Sequence, residues 1–275
     1  MFRRSIYKSA HDLRAMRPAG AATAAALAEA RRLITPGATG LDLDVAAERI
    51  ITALGGRSNF KLEPGYSHTL CVSVDDDVVH GIPNDRPFRP GAIVSVDGGA
   101  EVDGWNGDSA FTVVIPDPER PELVASRTRL SQVTEGSLWR GIAALATARR
   151  LNEVGDAIEE YIEDAGEYGI LTEYVGHGIG RSMHEEPPVF NYRVDRRGAA
   201  VRPGLVVAIE PMVVAGSIET FIRDDGWTVT TSDGADSAHW EHSVAVHDDG
   251  IWVLTAEDGG AAGLAPFGIV PVAIP

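Results

Sequence analysis

The feature that most constrains the fold of this chain is a nine-residue pattern that occurs twice. Residues 89–97 and residues 202–210 each begin with Arg-Pro-Gly, continue as an apolar run and end in an acid, Asp97 or Glu210. A weaker echo pairs HGIP, at His80, with HGIG, at His177. A pattern that recurs in one register predicts two structurally similar halves, each ending a buried strand in a carboxylate.

A carboxylate at the end of an apolar strand carries chemical information. Burying a lone carboxylate is costly, so such a group normally has a partner or a metal ion. If a pseudo-twofold axis relates the two halves, Asp97 and Glu210 face each other across one cleft. Two facing carboxylates repel each other unless protons or cations lie between them. The repeat therefore points to a cation site.

The elements around the repeat follow the same order in each half, two helices and then strands, which predicts an α+β fold. Helical patterns cover residues 21–33, 42–54, 130–151 and 154–168. Short β-branched runs predict the strands CVSV, AIVSVDGG and AFTVVI, and later LVVAIEPM, WTVTT, HSVAVH and IWVL. We expect one domain over residues 1–255. Residues 256–275, broken by Gly and Pro, are expected to form a tail that packs on the surface or is partly disordered.

Charge and cysteine content limit the function classes. A net charge of −16 argues against binding to a phosphate backbone, so we expect no direct nucleic-acid partner. The single cysteine, Cys71, leaves no intramolecular disulfide and favours a reducing compartment. The basic first residues lack the apolar core of a secretory signal, and no apolar run is long enough to span a membrane. We expect a cytoplasmic protein.

Four acids and one histidine form the candidate metal site. Asp97 and Asp108 flank the segment GGAEVDGWNG, as expected of two adjacent antiparallel strands. Glu210 closes the strand of the second repeat, Glu241 opens a later strand, and His177 lies in a glycine-rich approach. Carboxylates with one imidazole suit borderline-to-hard divalent ions, and the absence of a cysteine ligand disfavours a thiolate zinc site.

Taken singly, each residue has a plainer interpretation. The sole role of Asp108, as of Asp103, could be to form a turn, because Asp in glycine-rich surroundings usually does so. Glu241 could be a solvated strand residue and His177 a loop histidine. The pair Glu185-Glu186 is interpreted as solvated.

In their order and spacing, the motifs resemble those of the type I methionine aminopeptidases, metal-dependent enzymes of the pita-bread fold. The motifs are HGIP, Asp97 and Asp108 with ten residues between them, GHGIG followed by HEEP, IEPM, and the Glu of SAHWEH. The resemblance runs from about Ile6 to about Leu254 and implies two pseudo-twofold-related halves, with a curved antiparallel sheet covered by helices.

The resemblance also implies a role for each site residue. Two divalent ions per chain, of cobalt, manganese, iron or zinc, would be held by Asp97, Asp108, His177, Glu210 and Glu241, with Asp108 and Glu241 bridging. Glu210 would move a proton to the leaving amine, His184 would stabilise the oxyanion, and His80 would contact the peptide. The methionine side chain would lie among Tyr66, Cys71, Met183 and Trp227.

The chain departs from the family pattern near the pocket. Asp75-Asp76-Asp77 and Val79 precede HGIP, where Asn-Glu and a cysteine are usual. Met183 replaces an aromatic residue, and Glu63 stands where a second tyrosine is common. These departures leave open the details of the pocket and whether a monovalent ion binds. They do not change any of the expected metal ligands.

The function implied is removal of the initiator methionine from nascent polypeptides whose second residue is small, by a monomeric enzyme with possible transient ribosome contact. Proline-specific aminopeptidases and dipeptidases of the same fold are an alternative, although they generally carry an additional N-terminal domain. Type II enzymes insert a subdomain where this chain has only 26 positions, from His184 to Glu210. A non-catalytic binding homologue is a further alternative, but it would be expected to lose ligands.

Overall fold

The computed structural model describes residues 5–275 of the chain. The helices are α1 (Ala10–Leu33), α2 (Gly40–Ala53), α3 (Pro121–Leu145), α4 (Asn152–Ala165) and the short α5 (Ala261–Leu264). The strands of the first half are β1 (Arg57–Ser58), β2 (Leu70–Val74), β3 (Asp77–Val79), β4 (Ile93–Val102) and β5 (Trp105–Val114). Those of the second half are β6 (Gly169–Ile170), β7 (Gly176–Gly178), β8 (Glu185–Val189), β9 (Val206–Ile209), β10 (Met212–Val214), β11 (Thr220–Ile222), β12 (Val229–Thr231), β13 (Ser237–His239), β14 (Glu241–His247) and β15 (Gly250–Val253).

The helices exist where the sequence predicts them, but four boundaries were wrong by three residues or more: the starts of α1 and α3, the end of α3, which is Leu145 and not residue 151, and the end of α4. Helix α1 begins at a capping box of Ser9 and Asp12, well before the alanine-rich run that marked it, and it contains Pro18. Helix α3 begins at Pro121, because proline is well accepted in the first helical turn. Helix α4 ends at Ala165, and Gly166 follows with a positive φ of 146°.

A nine-stranded antiparallel sheet forms the centre of the molecule. Its strands follow the order β1-β4-β5-β14-β9-β7-β8, with β2 added on β4 and β15 on β14. Helix α1 packs against β4 and β5, and α3 packs against β5 and β13, so the helices cover the sheet. The predicted α+β architecture is thereby confirmed.

The two copies of the sequence repeat make equivalent hydrogen bonds in the sheet. Gly91 and Gly204 both adopt a positive φ, 80° and 94°, which glycine accepts without strain. Their N–H groups donate to the carbonyls of Ile115 (2.9 Å) and Val246 (2.8 Å), which follow or end the neighbouring strand. Strand pair β4–β5 in the first half therefore corresponds to β9–β14 in the second.

The two repeats end differently from one another, which corrects one expectation. Asp97 does not close its strand, since β4 continues to Val102 and turns only at Asp103-Gly104, both of positive φ. In the second half, LVVAIEPM is not one strand: β9 ends at Ile209 and β10 starts beyond Pro211. Proline has no N–H to donate to a ladder, so the strand breaks there.

The last twenty residues lie against the rest of the chain. Leu264 is fully buried, and Val272 donates its N–H to the carbonyl of Ile251 at 3.0 Å. Arg14 and Arg17 of α1 donate to the carbonyls of the last two residues. Within residues 5–275, none of the helices combines the length and apolarity needed to cross a bilayer.

Candidate active site

The register of three neighbouring strands places three of the acids on one face of the sheet. Asp97 of β4 and Glu241 of β14 are both paired with Ala110 of β5, from opposite sides. Asp108 lies two residues before Ala110 on the same strand. Paired residues point to the same face, and so do residues two apart on a strand, so the three carboxylates converge.

The remaining two expected ligands come from the second half. His177 is the central residue of β7, and Glu210 immediately follows β9, the strand that pairs with β7. The Nε2 atom of His177 lies 3.5 Å from Oε1 of Glu210. Ligand atoms of Asp108, His177 and Glu241 all lie within 4.8 Å of one another. All five residues line one cavity of about 170 Å³.

The carboxylates of this cavity are buried and incompletely satisfied. Asp97, Asp108 and Glu241 are 9%, 4% and 2% exposed. Within residues 5–275, Oδ1 of Asp97, Oδ1 of Asp108 and Oε1 of Glu241 have no hydrogen-bond partner. Buried polar atoms are rarely left unpaired, and carboxylates with one imidazole are the donor set of hard or borderline divalent ions. The cluster fits divalent metal binding.

Burial raises the pKa of all four acids expected to bind metal, and repulsion between neighbouring carboxylates adds to the shift for three of them. The pKa values of Asp97, Glu210 and Glu241 are raised well above the usual range, first by burial and then by neighbouring carboxylates. Burial raises the pKa of Asp108 to about 7. Burial lowers the pKa of His177 to about 4, with a smaller contribution from His184, which keeps the ring in its neutral, metal-ligating form.

These shifts predict how pH affects the metal-free protein. A carboxyl whose pKa is raised by folding contributes stability at low pH that is lost as pH rises through the folded-state pKa. Buried neutral histidines such as His177 act in the opposite direction, but only below about pH 6.5, where unfolded histidine is protonated. From pH 7 to 9 the free energy of unfolding should therefore fall, by about 1.4 kcal/mol per pH unit for each carboxyl still protonated.

Urea titrations in a chelator at pH 7, 8 and 9 measure this dependence. Saturating divalent metal should remove most of the decline, because the ions replace the protons. Metal-free stability that rises with pH across this range would contradict the description of the site.

Part of the cavity lining is apolar. Phe60, Tyr66, Cys71 and Met183 form one buried cluster, against which Trp227 packs. The Tyr66 hydroxyl donates to the carbonyl of Leu70 at 2.7 Å and accepts from the Cys71 thiol at 3.2 Å. The rings of Tyr66 and Trp227 meet edge to face with centroids 5.0 Å apart. The four residues expected in the methionine pocket thus share one wall.

Phe60 belongs to this wall and was missed by the sequence argument. It lies in a 3-10 turn, Phe60–Leu62, with neither periodicity nor a motif around it. Nothing local distinguishes it from any other buried phenylalanine, so only the folded chain identifies it.

The two histidines expected to contact substrate also line the cavity. The ring of His184 lies 4.5 Å from that of His177, centroid to centroid, in an edge-on arrangement. His80 adopts a positive φ of 59°, uncommon for a residue with a side chain, and its ring meets Tyr174 at 5.6 Å. Burial is the main cause that lowers the pKa of both His80 and His184, which favours neutral rings.

The unusual acids before HGIP lie outside this cavity and are paired with arginines. Asp75 accepts from Arg127 at 2.6 Å and from Arg89 at 3.2 Å. Asp77 accepts from Arg223 at 2.6 Å. Glu63, in contrast, lines the cavity itself.

One expectation about the HEEP segment was wrong. Glu185 is not a solvated residue, since its carboxylate forms an ion pair of 2.6 Å with Lys8, whose side chain is only 7% exposed. Only Glu186 is exposed. The partner lies 177 positions away in the chain, and no local pattern marks it.

Comparisons with known proteins agree with this geometry. A model of metallopeptidase family M24 matches residues 14–248. Methionine aminopeptidase 1 of Mycobacterium tuberculosis is 44% identical over 254 residues, 90% of this chain and 94% of that protein. Methionine aminopeptidase 1 of Bacillus subtilis is 38% identical over 91% of this chain and 98% of that protein.

The fold is likewise shared with a solved structure. The crystal structure of methionine aminopeptidase from Thermotoga maritima superposes with a TM-score of 0.85 at 37% identity, covering 94% of this chain and all of that one. The expected pita-bread fold and the expected family are therefore confirmed, and the chain belongs to metallopeptidase family M24 and, within it, to the methionine aminopeptidases.

Proposed function

We propose that this enzyme removes the initiator methionine from nascent polypeptides whose second residue is small. The observation that carries the proposal is the juxtaposition in one small cavity of a buried carboxylate–histidine cluster and an apolar wall. An apolar wall with a sulfur atom and aromatic rings suits an unbranched thioether side chain. A cluster of acids at its end suits a hydrolytic metal centre.

Five residues would hold the metal. We assign Asp97, Asp108, His177, Glu210 and Glu241 as ligands of two divalent ions, with Asp108 and Glu241 bridging. When bound, such ions activate water and polarise the carbonyl of the scissile bond. Cobalt, manganese, iron and zinc all suit this donor set, so metal supply would decide which is used.

The protein's own groups would divide the remaining work. Glu210, beside the neutral ring of His177, would take a proton from the attacking water and deliver it to the leaving amine. His184, whose lowered pKa favours the neutral ring, would donate an N–H to the developing oxyanion. His80 would contact the peptide near the scissile bond.

The side-chain pocket would position the substrate for this chemistry. Tyr66, Cys71, Met183 and Trp227 would surround the methionine side chain and exclude water from it. Because Met183 and His184 are adjacent in sequence, the methionine and the scissile carbonyl would be positioned by one short segment.

We place the activity in the cytoplasm, because nascent polypeptides are the substrates, with at most a transient ribosome contact. The net charge of −16 supports neither a stable RNA interface nor a membrane surface as partner. We further assign residues 1–255 to one catalytic domain, active as a monomer, and residues 256–275 to a tail without a catalytic role.

One experiment distinguishes this function from proline-specific cleavage and from binding without catalysis. Dialysed enzyme, loaded in turn with cobalt, manganese, iron or zinc, is assayed on Met-Ala-Ser and on an Ala-Pro peptide. We expect release of methionine from Met-Ala-Ser and no cleavage of Ala-Pro. Cleavage of Ala-Pro alone would assign the enzyme to the proline-specific peptidases, and inactivity on both with all four metals would favour a binding protein.

A further inference from the structure

The connection between β7 and β8, residues 179–184 (the β7–β8 loop), links the two ends of the site. It starts after the expected ligand His177 and ends with Met183 and His184. It has no helical or strand structure of its own. The position of Met183 and His184 in the cavity therefore depends on what holds this loop.

A partly buried ion pair closes the far end of the loop. Nζ of Lys8 lies 2.6 Å from Oε2 of Glu185, the first residue of β8, and the two side chains are 7% and 26% exposed. The other carboxylate oxygen, Oε1, accepts the N–H of Ser182 at 3.1 Å. The carboxylate of Glu185 thus joins the backbone of the loop to a lysine near the start of the chain.

The lysine is itself fixed to rigid parts of the fold. The backbone N–H of Lys8 donates to the carbonyl of Gly204 at 2.7 Å, in the turn before β9. Its side chain passes directly beneath the loop, where a Cβ atom at Gly180 would lie 2.6 Å from the lysine Cε. The next residue, Ser9, caps α1.

The near end of the loop is anchored to the β4–β5 hairpin. The backbone N–H and the side-chain amide of Asn106 both donate to the carbonyl of Gly180, at 2.9 and 3.1 Å. The guanidinium of Arg181 donates to the carbonyl of Asp103 at 2.9 Å and lies over the ring of Trp105 at 3.9 Å. Both ends of the loop are therefore held, and Lys8 acts through Glu185 on the end that carries Met183 and His184.

We propose that Lys8 is a positioning residue for catalysis, which acts through Glu185 to hold Met183 and His184 against the cavity. This proposal rests on the proposed function of the site. Without the lysine, Glu185 is left as a partly buried carboxylate without a cationic partner, and it gains hydration by moving outward with the adjoining loop. A displacement of about 1 Å at a substrate-orienting group can cost about a hundredfold in rate.

The test uses Lys8→Met, Glu185→Gln and the double variant, with Glu186→Gln as the matched control on the exposed neighbour. In metal-loaded enzyme on Met-Ala-Ser, we expect kcat to fall by about one to two orders of magnitude for Lys8→Met. KM should change less, because His184 would act mainly on the transition state. Metal-free hydrogen exchange provides a second readout, in which the amides of Gly180 and Ser182 should exchange faster in Lys8→Met than in the control.

The double variant separates positioning from mere structural support. Replacing both members of a buried pair is often neutral for stability, so the double variant should recover most of the Tm lost by Lys8→Met. Its kcat should stay low, since the ion pair that holds the end of the loop next to Met183 and His184 is still missing. Should Lys8→Met fail to fold, the double variant carries the test alone.

The outcomes also separate this proposal from the proposed function. If the wild-type enzyme cleaves Met-Ala-Ser and the double variant keeps its kcat within twofold and its exchange unchanged, Lys8 is not a positioning residue. If the wild type does not cleave the peptide at all, the proposed function fails instead.

Discussion

Glu210→Gln should lower kcat on Met-Ala-Ser by about a thousandfold or more while the protein keeps its fold. Positioned proton transfer contributes about 10²–10⁴ in rate, and an amide cannot accept the proton that this role requires. The amide also replaces a negatively charged oxygen that would face the ions. Because burial and Asp108 raise the pKa of Glu210, the metal-free fold favours the neutral carboxyl, and a neutral amide in its place should not destabilise the metal-free protein.

The measurement is kcat with saturating metal, with thermal unfolding recorded on the same preparations. Glu219→Gln, an exposed glutamate on the β10–β11 connection, is the matched control and should behave as wild type. A Glu210→Gln enzyme with more than a tenth of the wild-type kcat would refute the proton-transfer role.

The second large effect concerns stability without metal. Asp108→Asn should raise the Tm of the metal-free protein at pH 8 by about 5 °C, on the basis of 2–4 °C per kcal/mol for a chain of this size. Asp108 has a pKa of about 7 and is ionised at this pH among other buried acids. An amide of the same shape removes this charge and can donate to a neighbouring carboxylate. Acids that bind a metal ion destabilise the metal-free protein, which is a common cost of a functional site.

The same substitution should abolish the stabilisation that metal provides. A ligand at 100 times its Kd stabilises the native state by about 2.7 kcal/mol, so manganese should raise the Tm of the wild type clearly. In Asp108→Asn this increase should largely disappear, together with activity. Asp103→Asn, at the tip of the same hairpin with a φ of 51° that asparagine tolerates, is the control and should retain both. A metal-free Asp108→Asn protein less stable than wild type would contradict the argument that burial of this charge disfavours the metal-free fold.

The extent to which the sequence predicts this molecule differs between elements. The repeat predicted two halves correctly, because a Pro-Gly turn followed by an apolar run has a strong local preference that neighbouring chain segments do not override. The lengths of the strands were less predictable. Strand β4 runs through Gly98 and Gly99 to Val102 because β5 pairs with it along its whole length, a condition that the residues themselves do not display.

Some residues of the candidate site could likewise be predicted from the sequence and others could not. The types and order of Asp97, Asp108, His177, Glu210 and Glu241 are enough to predict a metal site and to indicate the family. Phe60 and the partner of Glu185 could not be predicted, since neither belongs to a motif. The pairing of Glu185 with Lys8 depends on where α1 begins relative to β8, and that is set by packing.

By itself, therefore, the sequence determined the two-halved α+β fold, the family and the residues available for chemistry, because turns, strand patterns and motifs are local properties of the chain. The tertiary structure alone decided that three carboxylates point to one face, that one oxygen of each has no hydrogen-bond partner within residues 5–275, and that a lysine near the start of the chain pairs with the glutamate that follows the loop beside them. Each of these depends on strand register or on contacts between distant segments, and the free energy of such contacts exists only after the chain has folded.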